Sequence, residues 1–120
     1  MEQTDPLSWR TFVVYFALLV SVLISGVALG QVTVIEFNAS FNEANGCPWV
    51  STLTDCEVRR VDILASPKLQ KEYKIVVVPT IIILRDNEEI KRFQANIMMT
   101  MEATEKEVQE SVDEILMDSF

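Results

Sequence analysis

The sequence predicts a small α/β domain built on a mixed β-sheet, with an apolar helix in front of it. The 120 residues leave room for one domain of ordinary size and a short appendage. Residues 12–30 carry no charged side chain, whereas the rest of the chain alternates β-branched runs with segments of helical character. The predicted order, β-α-β-α-β-β-α, joins a βαβ unit to an antiparallel hairpin and allows helices on both faces of the sheet.

Composition excludes several classes of function. Histidine is absent, so neither a Ser-His-Asp nor a Cys-His nucleophile can be assembled, and two cysteines without histidine make a poor zinc site. Eighteen acidic residues against ten basic residues give a net charge of −8, which has the wrong sign for binding a phosphate backbone. We therefore expect no nucleic-acid partner, no metal ion and no cofactor.

The apolar run at residues 12–30 has the length of a membrane helix. Nineteen residues at about 1.5 Å per residue nearly cross a hydrocarbon core of about 30 Å. Arg10 is the only basic residue before the run and the next is Arg59, which favours a cytoplasmic N-terminus. We predict a short cytoplasmic segment at 1–11, a transmembrane signal-anchor at 12–30 and an extracytoplasmic domain, periplasmic or luminal, at 31–120.

The same run is also compatible with a cleaved export signal or with a buried helix of a soluble protein. Residues 28–30, Ala-Leu-Gly, resemble a signal-peptidase site. Cleavable apolar regions usually span about 7–15 residues after a basic cluster, whereas this run is longer and follows the acidic Glu2 and Asp5. We favour the retained anchor over a cleaved signal, and both over a buried helix.

The first half of the domain has the pattern strand, short helix, strand, helix. Residues 32–37 are β-branched and mostly apolar, which predicts a central strand buried on both faces. A Gly-Cys-Pro triplet limits any helix within residues 41–53 to one or two turns. Residues 58–64 predict the second strand, and Ser-Pro at 66–67 begins a short helix.

The second half predicts a hairpin and a closing helix. Residues 75–84 have the strongest β signal of the chain, and residues 85–88 form a turn into a strand at 89–93. Thr104 and Glu107 form a capping box at the start of the last helix. The apolar stripe of that helix consists of Val108, Val112, Ile115 and Leu116.

Two stretches of the domain resemble the thioredoxin family. Thioredoxins carry Asp-Phe-Trp-Ala-x-Trp-Cys-Gly-Pro-Cys after their central strand, and residues 36–45 here are Glu-Phe-Asn-Ala-Ser-Phe-Asn-Glu-Ala-Asn. The family's two cysteines fall on Asn42 and Asn45. Lys-Glu-Tyr-Lys-Ile at 71–75 and Val-Pro-Thr at 78–80 are similar to a family segment in which the proline is cis. The resemblance covers about residues 32–117 and implies a thioredoxin-like mixed sheet.

The resemblance implies a domain that has lost the family's redox chemistry. That chemistry needs a nucleophilic thiolate and a resolving thiol at a helix N-terminus, and neither Asn42 nor Asn45 supplies sulfur. We therefore expect no catalytic residue at these positions. Only 32 positions separate Cys47 from Pro79, fewer than in the family, which implies a shortened first helix.

The resemblance also implies a surface for a protein partner. In the family, the residue before the cis-proline presents its backbone to an extended peptide. This role implies partner binding at Val78 and Pro79, with Phe41 and Trp49 in the nearby loop, because main-chain pairing needs no thiol. Pro79 has a structural role as well, since proline is tolerated at the start of a strand.

The two cysteines leave three possibilities. Cys47 and Cys56 are nine positions apart, unlike Cys-x-x-Cys, and in an oxidising compartment such a pair favours a structural disulfide. A reactive dithiol is disfavoured because histidine is absent and little positive charge lies nearby. Two separate free thiols are the third possibility.

Four further side chains carry expectations about burial. By resemblance, Glu36 is the carboxylate beneath the family's active site. Without a cysteine above it, we expect it to be structural or partly exposed. We expect Met98, Met99 and Met101 to fill the core near a sheet edge rather than to form an adaptable contact surface.

These features favour a membrane-anchored, redox-inactive thioredoxin-like domain that binds another membrane or envelope protein. The alternative from another class is an atypical thiol-disulfide oxidoreductase that uses Cys47 and Cys56. A third possibility is an accessory subunit whose apolar helix packs inside a larger membrane complex. Thiol-disulfide turnover that depends on Cys47 would distinguish the enzyme from the other two.

Overall fold

The computed structural model describes residues 31–118, which form a four-stranded mixed sheet with helices on both faces. The strands are β1 (Val32–Asn38), β2 (Glu57–Asp62), β3 (Thr80–Arg85) and β4 (Glu88–Gln94), in the order β2-β1-β3-β4. β1 pairs parallel to β2 and antiparallel to β3, and β4 lies antiparallel to β3. The predicted mixed α/β sheet is confirmed.

Two short 3-10 helices, Ser40–Asn45 and Pro48–Thr52, connect β1 to β2. Pro48 begins the second one, and because proline has no N–H it cannot continue the hydrogen bonds of the first. The region in which the resemblance implies a shortened helix therefore contains two 3-10 turns. The remaining helices are α1 (Pro67–Glu72), which follows β2, and α2 (Glu105–Met117), which follows β4.

The segment with the strongest β signal is only partly a strand. The sequence predicts a strand over residues 75–84, but β3 begins at Thr80. The residues before it leave α1 through Lys74, which adopts a left-handed conformation with φ 52°, and then reach the cis peptide bond between Val78 and Pro79. Since Pro79 has no N–H to donate to a ladder, the paired part of the strand starts after it.

Two apolar clusters hold the helices against the sheet. The cluster under α2 consists of Val32, Val34, Cys47, Val50, Leu53, Ile81, Ile83, Val108, Val112 and Ile115. The cluster under α1 consists of Ile35, Phe37, Ala39, Ile63, Ile75, Val78, Ile82 and Leu84, with Leu69 and Tyr73 half-buried against it. Successive side chains of a strand point to opposite faces, so β1 and β3 contribute to both clusters. The predictions of a doubly buried first strand and an apolar stripe on the last helix are confirmed.

Two local signals, the cap of the last helix and the turn of the hairpin, are also confirmed. The Thr104 hydroxyl accepts the main-chain N–H of Glu107 at 3.2 Å and so caps α2. Asp86 and Asn87 have φ values of 53° and 67°, the left-handed pair that a tight hairpin turn requires. β2 ends two residues before the predicted boundary, because the Asp62 carboxylate accepts a main-chain N–H two positions further on and closes a turn.

The predicted segments 1–11 and 12–30 lie outside the described residues. Within residues 31–118, no helix has both the length and the apolar character that a bilayer crossing requires. The transmembrane signal-anchor and its cleaved alternative therefore stay predictions from the sequence.

Candidate functional site

The candidate site lies at the end of the sheet where β1 stops and β3 starts, with Asn42 at its centre. The side-chain nitrogen of Asn42 donates to the side-chain oxygen of Asn38 at 3.1 Å. It also donates to the carbonyl oxygens of Met99 at 3.2 Å and Val78 at 3.4 Å. The side-chain oxygen of Asn42 accepts a hydrogen bond from Nδ2 of Asn45 at 3.0 Å. Three of the predicted site residues, Asn42, Asn45 and Val78, are thus brought together.

Asn42 connects three segments that are distant in sequence. Its side chain is only 5% exposed, and its two amide hydrogens are shared among acceptors in β1, in the segment before Pro79 and in the loop before α2. A carboxamide does not ionise or exchange electrons. At the position where the resemblance places the first cysteine, the domain therefore carries a buried side chain whose role is hydrogen bonding.

The cis peptide bond between Val78 and Pro79 forms the second part of the site. The Pro79 ring is almost fully buried, so this residue shapes the chain without exposing a side chain to a partner. The carbonyl of Val78 is engaged by Asn42, but its N–H and both main-chain groups of Val76 have no partner among the described residues. Unpaired main-chain groups of this kind are what an added extended segment uses.

Four large apolar side chains that are at least 67% exposed lie next to this network in sequence, and we call them the apolar rim. They are Phe41 (67% exposed), Val76 (82%), Ile97 (99%) and Met98 (74%). Phe41 precedes Asn42, Val76 lies two positions before Val78, and the other two precede Met99. Exposed apolar side chains grouped around polar main chain are typical of a docking surface.

The expectation that the methionines fill the core is correct for only one of them. Met101 is half-buried and packs against the cluster under α2. Met98 and Met99 are exposed, in a loop where the Asn96 side chain accepts the N–H groups of Met98 and Thr100. These two side chains are exposed, as an adaptable contact surface requires, and their contact role stays a prediction.

The predicted binding residues divide into two groups. Phe41 and Val78 belong to the site around Asn42. Trp49 lies in the second 3-10 helix, is half-buried and packs against the cluster under α2. Its contacts among the described residues are structural, and its part in binding a partner stays a prediction.

Glu36 is a buried carboxylate, 1% exposed, in the centre of β1. Its Oε2 accepts the main-chain N–H of Cys47 at 2.6 Å, and its Oε1 pairs with Nε of Arg60 on β2 at 2.7 Å. The structural role that we expected is present, whereas partial exposure is wrong. Arg60 and Cys47 satisfy the carboxylate, so its burial leaves no oxygen without a partner.

The two cysteines are free thiols, so the predicted Cys47–Cys56 disulfide is not formed in the structure. Burial and the nearby charge of Glu36 raise the pKa of Cys47 to about 12. Burial, together with the charges of Asp55 and Asp113, also raises the pKa of Cys56. Both thiols are thus held protonated. Among residues 31–118, no three acidic or cysteine side chains are arranged to hold a metal ion.

Comparison with solved structures shows that this architecture is similar to that of thioredoxins. A mutant thioredoxin from Halobacterium salinarum superposes with a TM-score of 0.61 at 19% identity, over 78% of this chain and 82% of that one. Thioredoxin 1 from Thermosipho africanus is 26% identical with a TM-score of 0.58, over 72% of this chain and 97% of its own. The chain has a thioredoxin-like fold.

A third thioredoxin-like match is the Fasciola hepatica thioredoxin, with 20% identity and a TM-score of 0.53 over 82% of this chain and 92% of that one. No family model and no curated protein matches the sequence. The shared feature is therefore the thioredoxin-like fold, and the residues of the site have to be interpreted from this chain itself.

Sequence reasoning missed two members of the site in the thioredoxin-like domain, Asn38 and Met99. A signal for Asn38 is present, since asparagines at 38, 42 and 45 fall within eight positions directly after the predicted first strand. Met99 contributes its carbonyl oxygen, which every residue has. Its membership therefore depends on tertiary structure alone.

Proposed function

We propose that this chain is a membrane-anchored, redox-inactive thioredoxin-like domain that binds another membrane or envelope protein through the surface around Asn42. The anchor is the apolar run at residues 12–30, and the domain acts on the extracytoplasmic side. The fold supports the thioredoxin-like part of the proposal. The anchor rests on the sequence, and the binding role rests on the side chains and main-chain groups around Asn42.

One observation carries the binding role. Asn42 occupies the position of the family's first cysteine and satisfies its hydrogen bonds inside the domain, while the apolar rim beside it remains exposed. Exposing such apolar side chains is unfavourable in an isolated protein, so a partner that covers them gains hydrophobic free energy. The main-chain groups of Val76 supply hydrogen bonds for the same partner.

The site lies at the end of β1 opposite to the point where the chain enters the domain. Residue 31 enters the domain at the start of β1, whereas Asn38 and the site lie at its other end. Six residue steps of about 3.3 Å separate the two ends by roughly 20 Å. A partner at this site therefore makes contact roughly 20 Å from the residue that follows the proposed anchor.

The alternative, an oxidoreductase using Cys47 and Cys56, is disfavoured by the environment of the thiols. Cys47 is 2% exposed, and with a pKa of about 12 its thiolate fraction at neutral pH is on the order of one in 10⁵. The thiolate is the nucleophile of disulfide exchange, and burial also raises the pKa of Cys56, so the environment of both cysteines disfavours the reactive form. We expect the full chain to reduce insulin disulfides no faster than the reductant alone. Faster reduction that the Cys47→Ser variant loses would contradict the redox-inactive assignment.

The binding role is tested by photo-crosslinking in native membranes. In the test variant, a photoreactive phenylalanine analogue replaces Phe41 on the apolar rim. In the control variant, the same analogue replaces Ile90, which is 45% exposed on the edge strand β4. We expect a discrete protein adduct from position 41 that Val76→Asp removes, and no such adduct from position 90. Equal adducts at both positions, or none at position 41, would contradict the proposal.

A further inference from the structure

A groove lined by three lysines continues from the apolar rim. Its volume is about 770 Å³, and it lies along α1 and the segment that follows this helix. Lys68 and Lys71 lie on α1, Lys74 follows the helix, and the exposed Val76 lines the groove and also belongs to the apolar rim. The buried Ile75 also lines it, so the groove combines an apolar part with a positively charged side.

The positive charge of this groove is not neutralised inside the domain. The other basic side chains are mostly engaged: Arg59, Arg60 and Arg92 form ion pairs, Arg85 donates to a main-chain carbonyl and Lys91 lies over the Phe93 ring. Among residues 31–118, the side chains of Lys68, Lys71, Lys74 and Lys106 have no hydrogen bond or ion pair. Three of these four line the groove. Glu72, the acidic residue of α1, does not line it.

An arginine from the sheet fixes the shape of the groove. Arg92 on β4 donates to the carbonyl oxygens of Tyr73 at 2.7 Å and Lys74 at 3.2 Å, and its guanidinium is held by Glu89 at 2.9 Å. The Ile75 N–H bonds back into α1. The segment that carries Lys74 is therefore held in place before any partner binds, which lowers the entropic cost of binding.

The groove and the candidate site are close enough for one extended segment. From Val78 to Lys74 there are four residue steps, at most about 15 Å, and about five extended residues span that distance. Val76 lies between them, and its main-chain N–H and carbonyl have no partner among the described residues. A phosphate headgroup can accept the N–H, but an extended peptide backbone pairs with the N–H and the carbonyl of one residue together.

We propose that the groove binds the acidic side chains of an extended protein segment whose apolar side chains cover the apolar rim. The partner thus carries Asp or Glu about three to six positions from its apolar contacts, as the span of the surface requires. This inference rests on the proposed function and adds the chemistry of the partner. An acidic domain that presents an uncompensated basic groove gains electrostatic selectivity for such a segment over neutral ones.

The experiment uses the full chain in detergent and a positional-scanning library of fluorescent peptides about nine residues long. The tightest peptide is compared with its copy in which each Glu or Asp is replaced by the uncharged amide. We expect selection of acidic residues on one side of the apolar positions, and about tenfold weaker binding of the amide copy, as three exposed ion pairs would give. Fluorescence anisotropy measures both affinities.

Variants connect this preference to the groove. In Lys68→Gln/Lys71→Gln/Lys74→Gln the two peptides should bind equally, whereas in the control Lys106→Gln the acidic peptide should keep its advantage. Circular dichroism confirms that each variant is folded.

If peptides bind and Phe41→Asp abolishes binding, but the acidic and amide copies bind equally well, the proposed role of the groove is wrong. The proposed function stands in that case. When no peptide binds, or Phe41→Asp leaves binding unchanged, the proposed function fails as well. Glycerol phosphate binding that the triple variant removes, without any acidic-peptide preference, would assign the groove to phosphate headgroups and overturn the inference.

Discussion

The buried carboxylate of Glu36 accepts a hydrogen bond from the main-chain N–H of Cys47 at 2.6 Å. Through its ion pair with Arg60 the same carboxylate also joins β1 to β2. Its negative charge is the second cause, after burial, of the raised pKa of the Cys47 thiol. One side chain therefore fixes the start of the second 3-10 helix and suppresses the reactivity of the nearest sulfur.

Replacing Glu36 by Gln should lower stability and raise thiol reactivity together. Losing a buried charge-assisted hydrogen bond should reduce the free energy of unfolding by about 1–3 kcal/mol in urea titrations. Without the negative charge, the Cys47 pKa should fall, and alkylation of the native protein followed by mass spectrometry should become faster. The exposed Glu43→Gln is the control and should change neither quantity. The Glu36→Gln variant could be destabilised while its Cys47 still reacts at the wild-type rate after correction for unfolding. That result would contradict the claim that the Glu36 charge raises the Cys47 pKa.

Stability should decline in alkaline solution because of Cys47. The unfolded thiol loses its proton near the ordinary pKa of 9.0, whereas the folded thiol keeps it up to about 12. Between these values the folded state binds more protons than the unfolded state, so stability falls as pH rises, by up to about 1.4 kcal/mol per pH unit. Cys47→Ala should lose this component, and the difference in unfolding free energy between the two proteins should shrink above pH 9. A constant difference across that window would exclude the raised pKa.

Asn42 and Asn45, which the resemblance aligns with the two thioredoxin cysteines, should differ in their contribution to stability. Asn42→Ala removes a 5% exposed side chain that bonds Asn38, Val78 and Met99, and we expect a loss of about 2–3 kcal/mol. Asn45→Ala removes an exposed side chain with one bond, for which we expect less than about 1 kcal/mol. Chemical denaturation of both variants measures the two losses. Equal losses would show that the network does not depend on Asn42.

Sulfur introduced at these two positions should form a disulfide. The Asn42 and Asn45 side chains are in contact at 3.0 Å, so the double variant Asn42→Cys/Asn45→Cys brings two thiols together. Oxidised glutathione accepts two electrons from the pair, which loses two protons and forms an S–S bond while two glutathione thiols are released. Intact mass and alkylation count the thiols, with Asn42→Cys alone as the control. Retention of both new thiols under this oxidant would show that the positions are not arranged as described.

The apolar run should keep the chain in the membrane. We expect the full chain to stay in the membrane pellet after carbonate washing, and a variant without residues 1–30 to be released into the soluble fraction. Intact mass of the native protein distinguishes a retained anchor from an export signal cleaved after Gly30. Release of the uncleaved full chain by carbonate would contradict the anchor.

The elements with strong local signals were predicted well from sequence. β1, the turn at Asp86 and Asn87, and the Thr104 cap follow from a continuous β-branched run, turn chemistry and capping, which act over a few residues. The strand predicted over residues 75–84 was too long, because β-branched composition does not report the turn that precedes Pro79. Local propensity thus identified most elements and misplaced the boundary that shapes the site.

The sequence by itself determined that sulfur is missing at Asn42 and Asn45, that the chain is acidic, and that a charge-free run precedes the domain. These statements need only the identity of residues. Tertiary structure alone decided that the Asn42 amide meets the carbonyls of Val78 and Met99, and that three lysines without partners lie beside Val76. The physical reason is that the amide contacts join residues up to 57 positions apart, which only the packing of the folded chain brings within hydrogen-bond distance. The lysines are close to Val76 in sequence, but only the folded structure shows that no acidic side chain among residues 31–118 pairs with them.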